Sequence, residues 1–378
     1  MKIAYVNIIW TFKYGITHRF RQQAEALKRI KSFETQCILV TPKEYLKFVR
    51  SDPNIIVIPI ALPLPFMPAK WLPSLLIWRR LAKILSAYNA VVMRWTVPSP
   101  YFLDSVRKIP IFTEHHSKEI DEMKLKGGIQ NRLLIMLERQ YAPKILGAVH
   151  GIIGLTDEIR RYELERAKSQ CPSLVLPNGF GVEDVYLTST PLYTGRELNI
   201  AFVSSHLKPW HGLDRFLKGM CLWKGGSPKV TLHLIGRLIK GQKSVIKSMG
   251  LSNSIHVHGI LYGPPLDKIL SNCHLAIGSL ALHRLGLKQA CVLKVREYTA
   301  RGIPFVIAYN DPDFPDHLPW VFHISADDSP VSIEDIIAFA RSMNRTPSIG
   351  REMRAYAECH LSWRIRMERM ISFVRDHV

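Results

Sequence analysis

The chain has 378 residues, nearly half of them apolar, with 51 Lys and Arg against 31 Asp and Glu, for a formal charge of +20. That length exceeds one ordinary core and suits two domains. The surplus of Lys and Arg points to an anionic partner: nucleic acid, phosphorylated ligand or acidic lipid surface. No uncharged run is long enough to cross a bilayer, and "MKIAYVNIIW" lacks a basic n-region and a small-residue cleavage site, so the chain reads as soluble and cytosolic. Six irregularly spaced cysteines without a C-x-x-C pair suggest reduced, mostly buried thiols, with neither a disulfide framework nor a zinc site.

In chain order, the runs "KIAYVNII", "TQCILVTP", "NIIVIPI", "AVVMRW", "IPIFTEH", "VHGIIGLT" and "SLVLPNG" alternate with amphipathic segments. Continuous apolar runs indicate strands covered on both faces, and alternation with helices indicates parallel βα units, so residues 1–190 are expected to form one doubly wound domain. The polar stretch "TSTPLYTGRE" (Thr188 to Glu197) reads as a linker. The pattern then restarts with "NIAFVSS", "VTLHLIG", "IHVHGI", "HLAIGSLA", "PFVIAY" and "VFHIS", predicting a second Rossmann-like domain over 191–358. Ile365, Met367, Met370, Ile371 and Phe373 recur at helical spacing, so residues 359–378 are expected to form a helix that docks on something already folded. Two tandem domains of this kind offer a cleft at the carboxyl ends of both sheets.

Three stretches carry chemistry. In "VSSHLKPWHGLDRFL" a strand ends in small residues, a basic loop with His206, Lys208 and His211 follows, and Gly212 precedes a helix starting near Asp214. This suits a phosphate at a helix N-terminus or, more plainly, a basic surface loop. In "GSLALHRLGLKQACVLKVREYTARGIPFV" the amides of Ala290, Cys291, Val292 and Leu293 open a helix towards a diphosphate, and Glu297 could accept two ribose hydroxyls or pair with Lys294 or Arg301. "TEHHSKE" presents His115 and His116 at a strand's carboxyl end; a metal pair is weighed against the tendency of adjacent histidines to point apart, and no third ligand is evident. "DPD" (Asp311 to Asp313) has the Asp-x-Asp form of a metal motif but sits in a proline-rich turn. Finally, Ile58 to Leu85 sets Phe66, Met67, Trp71, Leu75, Leu76 and Trp78 beside Lys70, Arg79, Arg80 and Lys83. That pattern reads either as an anionic membrane surface contact or as a packed helix face, with Ala61 to Pro73 expected to be loop.

The order "LPNG", "VSSHLKPWHG", "LHLIG", "IHVHGIL" and "LKVREYTARGIPFV" resembles the GT-B-fold glycosyltransferases of family 4, the retaining nucleotide-sugar enzymes, over almost the whole chain. The resemblance implies an α/β fold of two Rossmann-like doubly wound domains facing a cleft, an N-terminal acceptor domain, a C-terminal donor domain, and a C-terminal helix crossing back to the N-terminal domain. It implies donor contacts at Gly15, Gly236, Ala290, Cys291, Val292 and Leu293. Glu297 matches the later glutamate of the family's Glu-x7-Glu motif, which holds the ribose, while the earlier one, which touches the sugar, falls on Gln289. His116 matches a histidine that contacts the donor sugar. The basic pair that neutralises the leaving diphosphate falls near His206 and His211 with Lys208 between, so activity is expected to be pH-sensitive.

The expected function is a metal-independent, hexosyltransferase-type retaining glycosyltransferase of polysaccharide biosynthesis. It would have no cofactor, a nucleotide diphosphate sugar as donor and a lipid-linked or cell-surface glycan as acceptor, and would lie peripherally on the cytoplasmic face of the cell membrane. The alternative is a catalytically weak nucleotide-sugar or glycan binding protein of the same fold. Nucleic-acid binding rests on charge alone, without an aromatic-basic or helix-turn-helix pattern, and is not expected.

Overall fold

The computed structural model describes residues 1–10, 14–48, 52–60, 71–344 and 348–378. These divide into two compact units, Met1–Pro177 together with Trp363–Val378, and Asn178–Ser362. The described strands of the first unit are β1 (Lys2–Ile8), β2 (Glu34–Pro42), β3 (Ile55–Ile60), β4 (Ala90–Arg94), β5 (Ile111–His115), β6 (Gly151–Gly154) and β7 (Ser173–Val175). They form one sheet in the order β3-β2-β1-β4-β5-β6-β7, with parallel pairing between neighbours. The second unit holds β8 (Glu197–His206), β9 (Lys229–Arg237), β10 (Ile255–Gly259), β11 (Leu275–Ile277), β12 (Phe305–Ile307) and β13 (Val321–His323), in the order β10-β9-β8-β11-β12-β13, again parallel. The architecture is α/β with two doubly wound sheets.

The continuous apolar runs have the physical cause expected of them. Along β8, Ile200 and Phe202 enter one core cluster with Leu232, Leu234 and Ile277, while Ala201 enters another with Ala276, Phe305 and Ile307. Helices cover both faces, so neither set of side chains reaches water. In the first unit Val6, Ile38, Val91, Met93 and Ile111 pack on Trp78, Phe102 and Ile145.

The reading of Ile58 to Leu85 as one interfacial face needs correction. Residues 61–70, including Phe66, Met67 and Lys70, lie outside the described residues, as do the side chains of Trp71, Leu75 and Leu76. The helix Trp71–Leu85 contains Pro73, so the loop expected up to Pro73 ends earlier. Proline is tolerated there because the first turn of a helix has no intrahelical N–H bond to lose. Trp78 is fully buried and stacks on Phe102 with ring centroids 4.2 Å apart, whereas Arg79, Arg80 and Lys83 are exposed on the other side. Trp78 is therefore core, while Arg79, Arg80 and Lys83 face solvent.

The division between units falls at Pro177 and Asn178, where the sequence reading places it at the polar stretch 188–197. Hydrogen bonding explains the difference. Phe180 donates its amide to Leu361 O (2.7 Å), Thr188 to Arg301 O (2.8 Å), and Asn178 Nδ2 to Cys291 O (2.6 Å), so 178–190 is bound to the second unit.

At the other end, the helix Trp363–Arg375 packs against the helix Tyr14–Arg29, with Trp363 Nε1 donating to Gln22 Oε1 at 3.1 Å and Phe373 meeting Phe112 edge to face. Met367, Met370 and Ile371 are buried there, as are Trp363 and Val374; Ile365 and Phe373 are half-buried.

Candidate functional site

In the second unit the loops after β8 and β11, which are neighbours in the sheet, meet at the carboxyl ends of their strands, where open α/β sheets bind ligands. Gly212 has φ +73° and opens the helix Leu213–Leu222; a Cβ there would lie 2.7 Å from Leu280 Cβ, so only glycine admits this approach. Leu280 donates its amide to His211 O at 3.0 Å. Arg284 fastens the same loops through Pro209 O (2.7 Å), both oxygens of Asp214 (2.9 and 2.8 Å) and Asp328 (2.7 Å). At the end of β9, Gly236 has φ +143° and lies so near Ser204 O that a Cβ would be 1.6 Å away. Its role is to let the ends of β8 and β9 close together.

His211 lies between two hydroxyls, Nε2 3.1 Å from Ser204 Oγ and Nδ1 3.3 Å from Ser279 Oγ. Burial, reinforced by the charge of Lys294, pushes its pKa down to about 3, so the imidazole is neutral at physiological pH. This corrects the expected cationic role of His211 and the pH sensitivity attached to it. His206 and Lys208 are exposed, and the Lys208 amide donates to His206 O at 2.9 Å. The residue that sequence reasoning passed over is Lys294. Its Nζ donates to Gly278 O at 2.8 Å and sits 4.7 Å from the centre of the Phe202 ring, and burial lowers its pKa to about 7. In the sequence Lys294 had figured only as a partner for Glu297.

The segment Lys288 to Leu293 is anchored rather than open along its length. Asn310 donates to Lys288 O and Ala290 donates to Asn310 O, each at 3.0 Å, so Gln289 lies in a short parallel bridge. The Ala290 amide is thereby taken, which corrects its expected place among phosphate donors. The Cys291 carbonyl accepts from Asn178, and its thiol is buried and held neutral by that burial. The helix Leu293–Arg301 follows. Among the described residues the amides of Val292 and Leu293, which no helix carbonyl can reach, have no hydrogen-bond partner. Glu297 is half-buried and accepts from Arg301 Nε at 3.0 Å, while Arg301 also pairs with Asp267 at 2.7 Å.

Arg296, fully buried one residue before Glu297, explains the Asp-x-Asp motif. Its guanidinium donates to both oxygens of Asp311 (2.7 Å each), to Asp313 (2.6 Å), to Asn178 O (2.9 Å) and to Val292 O (3.1 Å). The two aspartates hold a guanidinium, as the turn reading allows.

In the first unit Gly15 is exposed at the start of the helix Tyr14–Arg29, with open space where a Cβ would sit. His115 and His116 do point apart. His116 Nδ1 is 2.7 Å from Arg19 NH1, which can only donate, so Nε2 carries the hydrogen donated to Glu114 Oε1 at 2.6 Å. Glu114 also accepts from Tyr5 OH at 2.8 Å. Burial, with Arg19 and Arg94 beside it, pushes the His116 pKa to about 3. Both ring nitrogens are thus engaged, and a sugar hydroxyl could be reached only by exchanging one of these bonds.

His115 is buried among Glu119, Glu138, Glu163 and Arg166, and burial lowers its pKa to about 4. A cavity of about 250 Å³ opens beside this group, lined by Asn7, Trp10, Arg94, Thr96, Glu119 and Glu138 among others. Asn7 Oδ1, Trp10 Nε1 and Thr96 Oγ1 are buried without a hydrogen-bond partner.

Breaking the Arg296 clamp tests what holds the candidate donor loop. Arg296→Ala leaves buried Asp311 without its counter-charge and should destabilise by about 3–5 kcal/mol. Asp313→Asn keeps the Asp311 pair and should cost less. Chemical denaturation of both variants checks the order, and equal losses would show that Asp313 shares the charge evenly.

No protein-family model and no curated protein matches the sequence. Solved structures do resemble it over essentially the full length. A glycosyltransferase from Rickettsia africae is 12% identical with a TM-score of 0.69, covering 99% of this chain and 98% of its own. HepE of Anabaena, solved in complex with UDP-glucose, is 13% identical with a TM-score of 0.68, covering 99% of each chain. The lipopolysaccharide outer core galactosyltransferase WaaB, in its apo form, is 12% identical with a TM-score of 0.68, covering 100% of each. The two parallel-sheet units, with the last helix packed on the first, are the GT-B fold of the glycosyltransferases.

Proposed function

We propose that the chain is a retaining glycosyltransferase of family 4 type that moves a sugar from a nucleotide diphosphate to a lipid-linked or cell-surface glycan. The observation that carries this is the convergence of Lys294, neutral His211, Ser204, Ser279 and the partnerless amides of Val292 and Leu293 around the carboxyl ends of β8 and β11. Dipolar donors and one adaptable ammonium stabilise charge developing on a leaving diphosphate, which is the main electrostatic task of such a transfer. Fold neighbours solved with UDP and UDP-glucose support this kind of donor. On the acceptor side, the first unit's cavity offers an acceptor, a donor and a hydroxyl that lack partners, the chemistry of sugar hydroxyl recognition. Catalysis rests on positioning and electrostatics, with no protein nucleophile and no metal assigned to the leaving group. The neutral His211 and the doubly bonded His116 favour the second reading, a member that binds the nucleotide-sugar and turns it over weakly. Release of UDP on adding acceptor separates the two.

The pH dependence follows from Lys294. With a free pKa of about 7 it must gain a proton to meet a diphosphate, so UDP-glucose binding takes up a proton above neutrality. Affinity should therefore be highest below pH 7 and fall by up to about tenfold per pH unit above it. Lys294→Met should bind weakly with a flat profile in calorimetry; an unchanged slope assigns the proton elsewhere.

Glu297 and Gln289 are proposed to divide ribose and sugar recognition. An amide both donates and accepts, which suits a uronic acid or acetamido sugar at Gln289. Glu297→Gln should weaken bare UDP, while Gln289→Glu should spare UDP and change the preference among UDP-sugars. Equal weakening of UDP by both would refute the division.

Among the described residues no helix is long and apolar enough to cross a membrane. Exposed Arg79, Arg80 and Lys83 support peripheral attachment to an anionic leaflet on the cytoplasmic side. The protein should sediment with anionic vesicles and release in high salt. Equal recovery on neutral vesicles removes the electrostatic part of this reading.

A further inference from the structure

We propose that His115, Glu119 and Glu163 form a buried binding site for a divalent transition metal ion, with Zn²⁺ as the probe, in the first unit. Three elements supply the ligands. His115 ends β5, Glu119 begins the helix Glu119–Lys126, and Glu163 comes from the helix Asp157–Ala167. One ligand atom of each lies within 4.8 Å of the other two. His115 Nδ1 is 3.5 Å from Glu163 Oε1 and 3.9 Å from Glu119 Oε1. Metal–ligand bonds of about 2.0–2.2 Å in a tetrahedral set place neighbouring ligand atoms roughly 3.3–3.6 Å apart, so the His115–Glu163 pair already has this spacing and the His115–Glu119 pair must close by a few tenths of an ångström.

The histidine supplies an independent pointer. Its ring is fully buried, Nε2 is 3.0 Å from Thr113 Oγ1, and Nδ1 has no hydrogen-bond partner although it faces two carboxylates. A ring whose outer nitrogen is held by an oxygen and whose inner nitrogen is aimed at acidic groups is the usual arrangement of a metal-bound imidazole. The carboxylates are prepared in the same way. Arg166 NH1 lies nearer the outer oxygens, 2.9 Å from Glu163 Oε2 and 3.7 Å from Glu119 Oε2, and is 3.2 Å from Glu163 Oε1, while the Oε1 atoms of both glutamates face His115. Charge gives the valence. Glu119, Glu138 and Glu163 surround a single guanidinium, Arg166, which also pairs with Glu138. Fully ionised, the three carboxylates exceed that guanidinium by two negative charges, the excess that one divalent cation would balance. Glu119 and Glu138 both line the 250 Å³ cavity, which gives an ion a way in and leaves room for a fourth ligand from solvent. The site is separate from the leaving-group chemistry assigned to the second unit.

A competing group of imidazoles must be controlled. His256 and His258 on β10 and His233 on β9 cluster with ring centroids 5.2–6.3 Å apart and could bind metal at the surface. The test therefore uses the full chain carrying His256→Ala and His258→Ala, stripped with chelator, reloaded with Zn²⁺ and desalted. Elemental analysis should find about one zinc per chain, and thermal unfolding should shift upward with zinc. Glu163→Gln and His115→Gln, made in that background, should lose both the retained zinc and the shift. Because either variant could misfold, zinc-edge X-ray absorption on the chain with Glu163 and His115 intact provides a second measurement, expected to show one imidazole with oxygen ligands. A stripped chain that folds and takes up no zinc, its carboxylates neutralised by protons, would overturn the proposal. So would zinc retained by the folded Glu163 variant, or a shell with sulfur or several imidazoles.

Discussion

Everything proposed for the donor side depends on one buried guanidinium. Arg296 draws together the chain entering the second unit at Asn178, the residue capping the helix Leu293–Arg301 and the turn at Asp311 to Asp313. Five hydrogen bonds from a planar fork fix these pieces in both distance and orientation, which a lysine ammonium would not do. Burying a charge this deeply is costly unless it is fully paired, and here the Asp311 fork meets it from one side while carbonyls meet it from others. The amides of Val292 and Leu293 can point in a fixed direction because the carbonyl of Val292 is held.

Other arginines are used in the same way. Arg215 is buried and donates to the carbonyls of Leu280, Ser325 and Ser329, tying the loop after β11 to the segment before the helix Ile333–Met343. Arg284, Arg301 and Arg166 each bridge elements distant in sequence. A charge count cannot separate an arginine that binds a ligand from one that holds two loops.

The sheets were legible because strands covered on both faces leave an uninterrupted apolar record, and two helix limits were legible from Gly212, which opens one, and Gly302, which closes another, both with positive φ. The helix bearing Glu297 was legible for the same reason. What escaped were partnerships across sequence. Nothing local marks Asp311 and Asp313 as partners of Arg296, or the Ala290 amide as the partner of Asn310. The neutrality of His211 depends on burial and on the charge of Lys294, and the poise of Lys294 on burial, whereas a reading by residue type gives each its ordinary titration. Trp78 and Arg79 show the limit of composition: adjacent residues on one helix face opposite environments.

The helix Trp363–Arg375 covers aromatic side chains of the first unit, yet the entire second unit, Asn178–Ser362, is synthesised between them. During translation the first unit must wait with Phe112 uncovered and Gln22 without its tryptophan partner while another domain folds. Domains completed in order of synthesis spend the least time exposing apolar surface, and this arrangement departs from that order. The first unit is consequently completed only by the last helix to be made, through the Trp363 hydrogen bond to Gln22 and the edge-to-face contact of Phe373 with Phe112.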